Sequence, residues 1–398
     1  MGRHCHLVCV TQNNNNKYYD MTEQGDTLLV AYGRIGSTKT EKVYPISKWN
    51  SLYNQKIGKG YRDETALAAV QTVINNDDYK AIEDKDIAAV VEYLREMARD
   101  VVRKNYTVAS EQVTQDMVDA AQAKLNNILR CVDRFTVREF NDQLIDLFHI
   151  IPRRMSNVND HLADNVGDFG KIIDREQKLL DVMAGQVVSK VTTVDNGGQT
   201  KDRTVLEAFG LEFSPVDSKD IAVIKRELGD CAHMFYKAWR VENKTTRDKF
   251  KGFLKGKGRG FVKKLFWHGS RTENWWNILR TGLLLRPTNV VINGKMFGYG
   301  IYFAPKAQKS VGYTSLRNSY WAKGNSNYGF LALCEVAYGK PYDVYDSQNG
   351  MTWERLQKVA PGCSSLHAHA GRSLRNDEVI VYKEDQVTIK YLVELKAS

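Results

Sequence analysis

Between residues 80 and 190 the apolar side chains recur every three or four residues, and on either side of that stretch they do not. Ile87, Val90, Val91, Leu94 and Met97 fall on one helical face, and Val113, Met117, Ala121, Leu125, Ile128 and Val132 on a second. Phe140, Leu144, Leu147 and Phe148 form a third face, stopped by Pro152; Val166, Phe169, Ile173, Leu180, Met183 and Val187 form a fourth. Several long amphipathic helices with no strand pattern among them predict an all-α bundle. At 398 residues the chain exceeds one ordinary core and suits two or three domains.

The flanks read differently. Residues 7–11, 17–21, 27–32 and 41–45 are short strand-like runs, separated by the turn-forming Asn13-Asn14-Asn15-Asn16 and Glu23-Gln24-Gly25-Asp26. Leu67, Val70 and Ile74 then give helical spacing over residues 64–74. A linker is expected at Asp195-Asn196-Gly197-Gly198, and beyond residue 200 glycine-rich turns separate the apolar runs 264–267, 329–337, 379–382 and 387–395. The predicted organisation is multidomain α+β: a small β-sheet-plus-helix module over 1–78, a helical bundle over 79–192 and an α+β domain over 200–398.

Charge follows the same division. Residues 1–75 carry a net +3, residues 76–190 a net −5, and residues 191–398 a net +12. Basic ends favour polyanionic partners or substrates. The six cysteines are scattered without a CxxC pair, which predicts reduced thiols rather than a disulfide framework or a zinc ribbon. His4, Cys5, His6 and Cys9 could be taken for metal ligands, but a first β-strand produces the same alternation, and no metal is expected. No apolar run approaches the roughly 20 residues that span a bilayer. The opening residues lack an apolar leader, so the expectation is an intracellular, monomeric protein with no membrane contact.

Three motifs in the last third carry the chemistry. They are Leu265-Phe266-Trp267-His268-Gly269-Ser270-Arg271, Met296-Phe297-Gly298-Tyr299-Gly300-Ile301-Tyr302-Phe303-Ala304 and Asn376-Asp377-Glu378-Val379-Ile380-Val381-Tyr382. In order and spacing they resemble the nicotinamide-binding motifs of the poly(ADP-ribose) polymerases. The resemblance implies an ADP-ribosyltransferase catalytic domain that consumes NAD+ as a substrate. It implies Glu378 as the carboxylate that stabilises the oxocarbenium-like ribose, His268 as a holder of ribose hydroxyls, and Tyr302 and Tyr313 as rings stacking on nicotinamide. It further implies Gly269 and Ser310 as the carboxamide clamp, Ser270 as an adenosine-side ribose contact, and Met296 and Lys309 on the acceptor side. Asn274 is counted among the NAD+ contacts as well, and Arg271 lies nearby in sequence. Retention of the glutamate favours chain elongation over single-unit transfer. Tyr299, where familiar relatives carry lysine, and the stretch 342–375 depart from the pattern. There is no GxGxxG fingerprint; Gly252, Gly256, Gly258 and Gly260 lack the spacing.

Upstream, Tyr32-Gly33-Arg34-Ile35-Gly36 resembles the WGR module of the DNA-dependent members, with Tyr in place of Trp. That implies Tyr32, Gly33, Arg34, Lys56 and Lys59 as contacts to DNA ends or strand breaks, Arg34 meeting phosphate. The acidic helical stretch resembles the family's autoinhibitory domain. Together these imply a polymerase activated by DNA breaks, modifying protein acceptors including itself, in the nucleus if eukaryotic and in the cytoplasm or nucleoid if bacterial. A mono-ADP-ribosyltransferase, an NAD+ glycohydrolase and a DNA-end-binding adaptor with a dead transferase fold are the alternatives. The run of nine basic residues and one acidic residue over 244–264 is expected to be a solvated loop.

Overall fold

The computed structural model describes residues 2–35, 37–65, 79–108, 113–195, 203–285, 296–371 and 374–397. Leu67, Val70 and Ile74, Gly36, and the linker residues after Asp195 lie outside them. The chain divides into two compact units, Met1–Asn75 with Asp100–Val188 and Asn76–Arg99 with Ser189–Ser398.

The first unit opens with strands β1 (His4–Thr11), β2 (Asn15–Gln24), β3 (Thr27–Arg34) and β4 (Thr40–Pro45), helix α1 (Trp49–Ile57) and the short β5 (Arg62–Asp63). They form one antiparallel sheet in the order β4-β3-β2-β1-β5. Both tight turns fall where the sequence places them. Asn14 and Gly25 adopt the left-handed backbone that such turns require, at φ 59° and 62°. One face of the sheet buries Leu7, Met21, Leu28 and Val30 with Trp49 of α1. His6 is bonded to Asp20 rather than grouped with the buried Cys5 and Cys9.

The helices are α2 (Lys85–Asn105), α3 (Gln115–Cys131), α4 (Val137–Ile150) and α5 (Phe169–Asp195). Thr136 and Glu139 form a reciprocal cap at the start of α4. Phe140 stacks on Phe169 at 3.9 Å. Arg153 and Glu176 make a fully buried ion pair at 3.2 Å. Two sequence expectations need correction. Val118 rather than Met117 leads the buried face of α3. Val166 does not belong to the core of α5; it is 62% exposed and lies in the 3-10 turn Val166–Asp168, before the helix begins.

Within this unit the sheet is tied to the helices by side chains. Arg62 pairs with Asp146 at 2.7 Å, His149 with buried Glu64 at 2.8 Å, and Asn16 donates to the Met155 carbonyl at 2.6 Å.

The second unit adds β6 (Leu211–Pro215), α6 (Ser218–Leu228), β7 (Phe235–Asn243), α7 (Lys244–Leu254), β8 (Lys264–Gly269), α8 (Thr272–Thr281), β9 (Ile301–Phe303), α9 (Ala307–Val311), β10 (Tyr328–Val336), β11 (Pro341–Val344), α10 (Trp353–Val359), β12 (Ser365–Ala368), β13 (Glu378–Val381) and β14 (Val387–Lys396). One sheet runs β6-β7-β14-β10-β8, the other β11-β12-β13-β9. Reciprocal backbone bonds between Trp267 and Ala304, 3.0 and 2.9 Å, join β8 to the end of β9 and so link the two sheets. The basic run 244–264 is not simply a solvated loop. Its first half is α7, capped by the Asn243 side chain and anchored by buried Phe250.

Residues 85–99 of α2 pack within this second unit rather than with the other helices. Asp86 pairs with Lys237 at 2.8 Å, and Tyr93 lies 6.2 Å from Phe330. Glu394 of β14 stands opposite Lys237. Burial pushes the Glu394 carboxyl up to about 7; Asp86 adds to the rise and Lys237 opposes it. A folded-state value raised above the usual carboxylate range means that stability is fully present at acid pH and lost as pH climbs through about 7. Glu394→Gln, which stays neutral, is therefore expected to stabilise the protein at pH 8, by about 1–2 kcal/mol once the screening of a partly solvated carboxyl is allowed for, with a smaller gain at pH 5. Thermal midpoints at the two pH values check this; a loss of stability at pH 8 would contradict it.

Candidate active site

The motif residues meet where β8, β9 and β13 adjoin. β8 ends in His268 and Gly269. The His268 Nδ1 lies 3.0 Å from the Tyr302 carbonyl. A carbonyl only accepts, so Nδ1 carries the proton and donates, leaving Nε2 as an acceptor in the neutral ring. Burial pushes the imidazole below its ordinary value, which favours that neutral form.

Gly269 is fixed by close approach. A Cβ there would stand 2.0 Å from the Ser310 carbonyl oxygen. Buried Ser310 donates its hydroxyl to the Trp267 carbonyl at 3.1 Å, holding α9 against the strand. Ser270 accepts from the Asn274 amide at 3.0 Å, across the first turn of α8.

Tyr302 sits in β9, and its hydroxyl donates to the Gly298 carbonyl at 2.9 Å and accepts from the Phe297 N–H at 3.2 Å. This fixes the ring, and burial raises the phenol strongly. Gly298 adopts φ +75°, and a Cβ there would meet the Met351 backbone at 2.2 Å. Met296 packs, half-buried, against the cluster that contains Phe297, Met351 and Ile380. Tyr313, 39% exposed, stacks on Trp321 with centroids 6.0 Å apart, and its phenol is pushed up to about 12 by burial and then by Glu378.

β13 pairs with β9 so that Ile380 faces Tyr302 and Val379 faces Phe303. That register brings Glu378, the first residue of β13, beside the Ala304–Trp267 junction. Glu378 is 8% exposed, and its Oε1 lies 2.5 Å from the Lys309 Nζ. Burial raises the Glu378 carboxyl above its usual range, while Lys309 opposes the rise. The direct Lys309–Glu378 pair was not visible in the sequence, since it depends on how α9 and β13 come together. Trp321, 59% exposed beside Tyr313, is equally hidden from the sequence, since it is placed by the chain folding back so that its N–H meets the Gly312 carbonyl. A buried carboxylate with one cation, a neutral imidazole with a free acceptor and two tyrosine rings can stabilise a developing sugar cation and hold an aromatic leaving group.

The residues expected to meet DNA lie in the first unit. Tyr32 packs 5.8 Å from Tyr19 at the sheet core, next to Gly33. Arg34 is not the free cation that a phosphate contact expects: its guanidinium donates to the Asn14 carbonyl and side chain and to the Ser156 carbonyl, at 2.6–3.0 Å. Lys56 Nζ lies 3.9 Å over the Tyr19 ring, where burial lowers its pKa, and Lys59 is exposed.

Residues 223–369 match the poly(ADP-ribose) polymerase catalytic domain. The matched stretch contains His268, Tyr302 and Lys309 and ends before Glu378. The 101L protein of Invertebrate iridescent virus 6 is 35% identical over 193 residues, 48% of this chain and 81% of the viral protein. The poly(ADP-ribose) polymerase-like 100L protein of the same virus is 35% identical over 136 residues, 33% of this chain and 70% of its own length. Poly(ADP-ribose) polymerase 1 of Gallus gallus is 29% identical over 461 positions that take in 98% of this chain and 44% of the chicken protein. The chain thus spans less than half the length of that larger polymerase. With its catalytic-domain match and these relatives, the chain belongs to the poly(ADP-ribose) polymerase family and is an NAD+ ADP-ribosyltransferase of that type.

Proposed function

We propose that this protein is a poly(ADP-ribose) polymerase switched on by DNA ends or strand breaks. It cleaves NAD+, transfers ADP-ribose to protein acceptors including itself, and extends the first unit into a chain. The observation that carries the NAD+ cleavage in this reading is the adjoining placement of His268, Tyr302 and Glu378 at the β8–β9–β13 junction. Nicotinamide departs with the bonding pair of the glycosidic C–N bond, leaving an oxocarbenium-like ribose. Glu378 stabilises that charge and orients the incoming hydroxyl. His268 Nε2 accepts from a ribose hydroxyl, and Tyr302 and Tyr313 stack on the nicotinamide ring. Gly269 lets the backbone approach the carboxamide, and Ser310 supports that edge. Ser270 and Asn274 lie toward the adenosine side, Met296 and Lys309 toward the acceptor.

Residues 1–78 are read as the DNA-sensing module, with Tyr32, Lys56 and Lys59 toward DNA. Arg34, bonded to Ser156, supports a link between that module and the helices rather than a phosphate contact. Residues 79–192 are read as the brake, which DNA binding opens. In a eukaryotic cell this reading places the protein in the nucleus. Among the described residues, no helix is long and apolar enough to cross a membrane.

Nicotinamide release, measured with and without nicked DNA, tests the activation. The rate is expected to rise with DNA at low salt and less at high salt. Deleting about residues 80–190 should raise the basal rate without DNA. No stimulation in the intact protein and no gain on deletion would contradict the brake. Labelled NAD+ separates polymer ladders from single-unit transfer.

A further inference from the structure

Away from the NAD+ site, one cluster combines imidazoles and carboxylates. Asp343, His367 and His369 each present a ligand atom within 4.8 Å of the other two. Strand pairing builds the cluster. β11 and β12 run parallel with Asp343 opposite His367, and the His369 N–H donates to the Val344 carbonyl at 2.9 Å, continuing the ladder. His367 and His369 are two residues apart on an extended backbone, so their rings share a face. Their centroids lie 4.2 Å apart with planes inclined by 17°.

Asp377, in the segment leading into β13, stands beside both rings. The Asp377 Oδ2 lies 3.0 Å from His367 Nε2 and 3.5 Å from His369 Nδ1, while its Oδ1 accepts the Ala370 N–H at 2.8 Å. His369 Nε2 lies 2.7 Å from the Asp343 Oδ1. On the far side of His367, the Tyr338 hydroxyl is 2.8 Å from Nδ1, which orients the ring and leaves Nε2 pointing into the cluster. An outer hydrogen bond of this kind is the usual support of a metal-ligating histidine.

We propose that Asp343, His367 and His369 bind a divalent transition metal of the Zn2+ class, with Asp377 outside the ligand set. Two neutral imidazoles and one carboxylate leave one positive charge on the ion and a fourth tetrahedral position for water. Imidazole nitrogens select Zn2+, Co2+ or Ni2+ over the oxygen-seeking Mg2+ and Ca2+. Ligand atoms around a tetrahedral ion at ~2.0–2.1 Å stand ~3.4 Å apart, and the atoms that Asp343, His367 and His369 offer, one from each, lie within 4.8 Å of one another, so the ion must draw them together. The site stands independently of the proposed DNA activation.

The test uses the untagged full-length chain, stripped with a chelator and titrated with Co2+. Tetrahedral Co2+ gives visible d–d absorption. The expected result is saturable stoichiometric binding with that absorption, displaced by Zn2+, and a higher thermal midpoint in the loaded protein. His367→Ala and Asp343→Asn should each weaken binding by at least ~10-fold. Asp343 is exposed, so Asp343→Asn is expected to keep the fold, which circular dichroism checks. Absence of saturable binding in the wild type, or unchanged affinity in a folded Asp343→Asn variant, would overturn the proposal.

Discussion

Glu378→Gln is expected to lower kcat for nicotinamide release by about 10²–10³-fold while changing KM for NAD+ by only a few-fold. Removing a group that stabilises charge only in the transition state has this signature. The geometry makes the effect large because Glu378 is buried and its close cation is Lys309. The carboxyl must be ionised to act, and burial holds its pKa above the usual range. Activity is therefore lost as pH falls through that raised value, earlier than for an ordinary glutamate. Lys309→Met removes the cation that opposes the rise, so the acid limb of the pH–rate profile should move to still higher pH. An unmoved or lowered acid limb in that variant would mean that Lys309 does not act on the carboxylate.

Gly269→Ala should be the second severe change. The added methyl would meet the Ser310 carbonyl oxygen at 2.0 Å, and that atom is backbone, so no side-chain rotation relieves the contact. β8 and α9 must separate, which displaces His268 and the tyrosines from one another. A shift of that order costs about 100-fold in rate or affinity. We expect a fall of that size in NAD+ turnover, with a lower thermal midpoint. Gly260→Ala is the control: a Cβ there meets nothing within 4 Å, so turnover and melting should stay near wild type.

Much of the fold is legible in the period of the sequence, for identifiable reasons. Strands β2 and β3 alternate, although β1 buries Leu7 to Val10 without a break and β4 is largely exposed, and α3, α4 and α5 keep apolar faces, so both periods survive in part. Val166 was misread because a valine one turn before Phe169 fits a helical step even when the chain there is a 3-10 turn. α7 is hidden because its charged residues mask the apolar period and only Phe250 is buried. The packing of residues 85–99 with the second unit is invisible to periodicity, which reports that a face is apolar and not what covers it. The triad motifs were legible as local patterns. The Lys309–Glu378 pair and the internal bonding of Arg34 were not, because each joins segments distant in sequence.

The proposed site seats one nicotinamide against Gly269 and Tyr302 within reach of Glu378. Calorimetric titration of nicotinamide into wild type, Gly269→Ala and Tyr302→Ala examines it without relying on catalysis or DNA. Saturable binding is expected of the wild type, with a loss of about 100-fold or more in affinity in Gly269→Ala and a weaker but clear loss in Tyr302→Ala. Equal affinity in all three proteins would contradict it.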